Sequence, residues 1–113
     1  MAVTFNTREV SGVTIIDISG RITLGAGNVE LRDHVSKAID AGSRSILLNL
    51  AELNYMDSSA VGTLVGCYTS AQNRGAKLKL LNLTKKITEL LAITKLLTVF
   101  DTFDDEQKGV DSF

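Results

Sequence analysis

The chain has no proline and a single cysteine. Without proline there is no stiff linker at which to divide it, and 113 residues suit one domain over residues 1–113 with one continuous core. A lone Cys67 excludes an internal disulfide and any multi-cysteine metal site, so no metal centre is expected, and a reducing compartment is. No apolar stretch approaches the ~20 residues of a membrane-spanning helix, which argues against membrane insertion. The start Met1-Ala2-Val3-Thr4-Phe5-Asn6 lacks the basic segment and apolar run of a secretory leader, so cytoplasmic residence is the expectation. A formal net charge of −1, with acids and bases scattered along the chain, provides no basic stripe for direct nucleic-acid binding.

What is present reads as an ordinary globular composition, 44% hydrophobic and 22% charged. Val3 to Val10 alternates partly, Ser11-Gly12 supplies turn chemistry, and Val13-Thr14-Ile15-Ile16-Asp17-Ile18 follows as an apolar run; together they predict a hairpin. After a loop from Gly20 to Gly27, Leu31, Val35, Ala38 and Ile39 recur at helical spacing, and Gly42 stands where a C-terminal cap is wanted. Ser45 to Leu50 is almost continuously apolar, as in a strand covered on both faces. A second helix is expected from about Ser58 to Arg74, closed by Gly75, and Lys77 to Leu81 reads as another strand. Thr84 caps a third helix carrying Ile87, Leu90 and Leu91; Leu97 to Phe100 reads as a final short strand; Asp104 and Gln107 begin a short terminal helix. The order predicts an α/β domain whose mostly parallel sheet is opened by an antiparallel hairpin and accompanied by about four helices. Sites in such sheets gather at the carboxyl ends of strands, here the edge holding Asn54 to Ser59.

Asp57-Ser58-Ser59 stands directly before the second helix. Taken alone it is a plain N-cap, because these side-chain oxygens accept from the unpaired N–H groups of a first turn. Its position also suits a modification: phosphate on a first-turn serine meets free N–H groups and the positive end of the helix dipole.

Strand Ile46–Leu50 followed by Leu53-Asn54-Tyr55-Met56-Asp57-Ser58-Ser59-Ala60-Val61-Gly62 resembles the STAS domains, and among them the free-standing bacterial anti-sigma factor antagonists. The similarity spans essentially the whole chain, with Gly20, Gly75 and Phe100 to Glu106 in matching places. The resemblance implies a binding protein without a catalytic role and without a cofactor, carrying its regulated serine at Ser58. It also implies the partners: a serine kinase that is itself an anti-sigma factor, bound by the unphosphorylated form, and a serine phosphatase for the reverse step. Two positions depart from the family's pattern. Ala60 stands where glycine is frequent, and Gly20-Arg21-Ile22-Thr23 replaces a common Gly-Glu-Leu-Asp, so that Arg21 and Thr23 imply a more positive loop facing the serine. Arg21 is then the expected partner of a phosphate on Ser58. A STAS domain that only scaffolds a signalling or transport complex is the alternative reading.

Enzyme readings fare worse. His34, the single histidine, reads as a flank residue of the first helix, and there is no Gly-x-Ser-x-Gly elbow for a hydrolase. Cys67 reads as a small buried hydrophobe. The glycines at 20, 25 and 27 lack a Walker ending, so a mobile partner-contacting loop is expected there in place of a nucleotide site. Asp104-Asp105-Glu106 is a helix start.

The second helix has an expected core stripe of Val61, Leu64, Val65, Tyr68 and Ala71. Beside it runs a strip without long side chains: Ser59, Gly62, Thr63, Gly66, Thr69, Ser70 and Asn73. Two glycines inside a helix cost about 1 kcal/mol each relative to alanine. Either the strip packs closely against the third helix, or it is a docking face continuous with Asp57 and Ser58.

Overall fold

The computed structural model describes residues 3–113; Met1 and Ala2 of the stretch read for a leader lie outside it. Strands β1 (Val3–Val10) and β2 (Val13–Ile22) form the expected antiparallel hairpin, with Val10 opposite Val13. Ser11 and Gly12 both adopt positive φ, 51° and 82°, the backbone a two-residue primed turn requires. Helix α1 (Ala26–Asp40) leads to β3 (Ser45–Met56), helix α2 (Ser58–Asn73) to β4 (Lys77–Leu81), and α3 (Lys85–Ile93) to β5 (Thr102–Phe103) before α4 (Glu106–Asp111). The sheet order is β1-β2-β3-β4-β5, parallel throughout except for the opening pair.

The sheet has a large and a small core. Ile16, Ile18, Ile46, Leu48, Leu50, Leu78 and Leu80 meet the apolar sides of α1, α2 and α3, with Phe100 completing the cluster. On the opposite face Val13, Ile15, Leu47 and Leu81 are covered by Val110 of α4. That covering is close: a Cβ added to Gly109 would stand 3.0 Å from Leu47 Cδ2, so any larger residue would require the leucine to shift.

Several boundaries differ from expectation. β2 runs four residues past Ile18, shortening the glycine-containing loop, and β3 runs six past Leu50. The β2–β3 ladder shows why: Asp17 and Ser19 face Asn49 and Glu52, and Gly20 and Arg21 face Leu53 and Tyr55, so β3 carries an extra residue at each of two bulges. Its buried positions accordingly step from Leu50 to Leu53 to Met56, which breaks the alternation. Leu97–Val99 is a 3-10 turn and not the final strand. Leu96, Leu97 and Val99 lie half-buried against the large core, and the buried Phe100 meets Tyr68 edge-on at 5.2 Å, so the segment packs as a plug on that core. The edge strand is Thr102–Phe103. α4 is capped by Asp105, which accepts from Lys108 N–H at 3.0 Å, while Gln107 donates to Asp111.

Arg8 of β1 fastens α4 to the sheet. Its guanidinium bonds Asp17 at 2.7 and 3.1 Å and Glu106 at 2.6 and 3.1 Å, and Asn49 adds a 2.8 Å bond to Asp17. Arg8 holds both carboxyls below their ordinary range, in each case chiefly through its hydrogen bonds. Unfolding returns them to values near 4, so their contribution to stability is complete above about pH 5 and is lost as the pH falls through the folded values. Arg8→Met should lower stability at pH 7 by about 1 kcal/mol, these groups being one-third exposed, and flatten the stability profile below about pH 5; chemical denaturation at several pH values reads both. Parallel profiles for variant and parent would reject the clasp.

Candidate functional site

The bulged end of β3 delivers Asp57 to the start of α2. Asp57 is extended, φ −91° and ψ 178°, as an N-cap must be, and its N–H reaches Ile22 carbonyl at 3.3 Å. Its Oδ1 accepts from Ala60 N–H at 2.9 Å and from Ser59 Oγ at 2.5 Å; Oδ2 accepts from Leu24 N–H at 3.1 Å. These donors, the Ser59 hydroxyl first, keep the carboxyl below the usual aspartate range, hence ionised. One carboxylate thus ties the β2–α1 loop to the first turn of α2.

The two serines have different environments. Ser59 Oγ accepts from Asn28 Nδ2 at 3.0 Å while donating to Asp57, so its single proton is engaged. Asn28, 7% exposed on the first turn of α1, is the inner post of this chain of bonds. Ser58 is exposed, and among the described residues its side chain makes no hydrogen bond. A groove of about 380 Å³ opens beside it, lined by Tyr55, Met56, Ser58, Lys86, Ile87 and Leu90.

The other expected contact residues fall into place unevenly. Gly62 and Gly66 are exposed, and a Cβ on either would meet nothing within 4 Å. Close packing against α3 is thereby overturned: α2 rests on α1, β3 and β4, while α3 rests on β3. Thr63 of the same strip is buried, with its hydroxyl donating to Ser59 carbonyl at 3.3 Å. Val65 and Tyr68 are only half-buried, and Ala60 and Cys67 take their places in the core. Thr23 is half-buried in the loop. Arg21, expected to face the serine, instead lays its guanidinium 4.4 Å over the Tyr55 ring; the cation lining the groove of Ser58 is Lys86.

Sequence reasoning missed Asn28, Leu24 and Lys86. Leu24, 80% exposed, and Val29, 49% exposed, flank the Asp57 loop as apolar side chains in water. A large apolar residue inside a glycine-containing loop was the one available signal. His34 stacks on Phe5, 4.2 Å between rings, and its Nδ1 bonds Glu30 carbonyl, so it takes no part in the site. Burial pushes the Cys67 thiol up to about 11, leaving it inert at neutral pH. Among the described residues no helix is long and apolar enough to cross a membrane.

The relatives carry this geometry further. Over 95 residues the chain is 30% identical to the anti-sigma-B factor antagonist of Bacillus subtilis (strain 168), a match covering 84% of this chain and 85% of that protein. An anti-sigma factor antagonist from Mycobacterium paratuberculosis has the same fold, with a TM-score of 0.85 at 13% identity over 98% of this chain and 93% of its own. The anti-sigma factor antagonist SpoIIAA in its unphosphorylated form superposes with a TM-score of 0.80 at 22% identity, over 96% of this chain and 95% of its own. The STAS domain pattern matches residues 4–109, and the chain belongs to the STAS domain family.

Proposed function

We propose that this chain is an anti-sigma factor antagonist, a one-domain cytoplasmic binding switch with no catalytic role. Its unphosphorylated form sequesters an anti-sigma serine kinase, phosphorylation at Ser58 releases that kinase, and a serine phosphatase resets the cycle. The observation that carries this reading is the contrast between neighbours: Ser59 is locked between Asn28 and Asp57, whereas Ser58 is exposed on the first turn of α2. The docking face begins at Asp57 and the exposed Leu24 and Val29, and continues along Gly62 and Gly66. Arg21 and Thr23 border it on the loop side, and Ser59 and Thr63 support it from below.

Phosphate adds about −1.5 to −2 charges next to Asp57, and a tight interface must desolvate them. Ser58→Glu should therefore bind the kinase at least about tenfold more weakly than the parent, which corresponds to about 1.4 kcal/mol. Equal affinities by calorimetry would remove Ser58 from the interface.

A further inference from the structure

Lys86 is the second residue of α3, held over the groove by its buried neighbour Ile87. Lys85 and Lys86 occupy the first turn of that helix, and no acid accompanies them there. Cations at the positive end of a helix are electrostatically misplaced. Among the described residues neither lysine is in an ion pair. Only Lys86 of the two lines the groove that Ser58 also lines. The floor between them is apolar, made by Met56, Ile87 and Leu90.

Among the described residues no carboxylate is paired with that ammonium, and besides it an anion on Ser58 meets the first-turn N–H groups of α2. The Asp57 carboxylate is occupied by Ser59, Ala60 and Leu24. The Arg21 guanidinium is spread over Tyr55. We propose that Lys86 is the counter-cation of the modified serine, pairing across the groove with a phosphate on Ser58. The inference rests on Ser58 being the phosphorylated residue and names the group that holds the phosphate once it is there. A lysine suits this task, since its flexible stem carries a point charge to whichever phosphate oxygen is presented. The pairing lays the anion across the apolar floor, so that modification covers the groove as well as charging its rim.

The test uses the full chain with phosphoserine genetically encoded at position 58, which frees it from any kinase. Phosphorus NMR follows the second ionisation of the phosphate, near pH 6 for an unperturbed phosphoserine. The dianion is favoured by a nearby cation, so the midpoint in the parent should lie lower than in Lys86→Gln by roughly half a pH unit. Asp57, Glu89, Arg21 and the first-turn N–H groups of α2 also face the phosphate, but they are common to both proteins and drop out of the comparison. Lys85→Gln, in the same turn but outside the groove, should leave the midpoint where it is. Coincident titrations of the parent and Lys86→Gln would overturn the pairing, and so would an equal shift in Lys85→Gln, which would signal a diffuse field. Failure of kinase labelling at Ser58 would count against the proposed function and leave this measurement to be judged by itself.

Discussion

Incubated with its cognate serine kinase and ATP, the chain should take up one phosphate, and Ser58→Ala should take up none. Ser59→Ala should still be labelled. Both serines carry the same hydroxyl and stand one residue apart, so the kinase's choice depends on what each hydroxyl must give up. To enter a kinase site Ser59 would have to release its bond to Asp57 and strand the buried amide of Asn28. Those two bonds are worth about 1 kcal/mol each, so Ser59 reacts at a disadvantage of about 2 kcal/mol, or about 30-fold. Ser58 has nothing to release. The same bonds predict that Ser59→Ala is the less stable variant, by about 1–3 kcal/mol, since it leaves Asn28 Nδ2 without its partner. Mass spectrometry of the labelled peptide decides the matter: phosphate persisting in Ser58→Ala and vanishing in Ser59→Ala would move the switch by one residue and sink the argument from hydroxyl freedom.

The parts of this site that were legible in the sequence are those that local chemistry determines. Ser11-Gly12 announces its turn because few pairs accept two positive φ values in succession. Asp57 announces a helix start because its side chain answers the N–H of Ala60 three residues on. The apolar run of Ser45 to Leu50 announces a covered central strand. What failed was governed by distant partners. The β3 bulges are recorded only in its register against β2, so the strand seemed to end where its alternation ended. Leu97 to Phe100 has the composition of a strand, but the large core and Tyr68 claim it as a plug. Asn28 and Lys86 stand 30 residues before and 28 after Ser58 in the chain, and only the two parallel crossovers bring them to the same strand end. The stacking of Arg21 was hidden for a related reason: its position on the ladder opposite Tyr55 offers the guanidinium an aromatic face.

Replacing Gly66 with glutamine should raise the thermal midpoint and at the same time weaken kinase binding, two effects that rarely travel together. Gly66 lies in the middle of α2, exposed, with open space where a Cβ would be. Its helical backbone needs no positive φ, so glutamine enters without strain. Exchanging the poorest non-proline helix former for a good one should stabilise the helix by about 0.7 kcal/mol, or about 3 °C for a chain of this size. That a helix forgoes this gain at both Gly62 and Gly66 argues that the missing side chains serve something outside the folded chain. The two glycines lie one turn apart on the same face, one turn and two turns beyond Ser58, so they extend its surface as a smooth track on which a partner backbone can lie close. A glutamine standing on that track must be bent aside or must hold the partner off. Loss of about 2 kcal/mol, roughly 30-fold in affinity, is expected for the unphosphorylated chain. Ala92→Gln, exposed on α3 and outside the groove, should change neither quantity much and serves as the control for added bulk. If Gly66→Gln is the more stable protein and binds the kinase as tightly as its parent, the glycine face is not the docking surface, and contact must be confined to Leu24, Val29 and the groove beside Ser58.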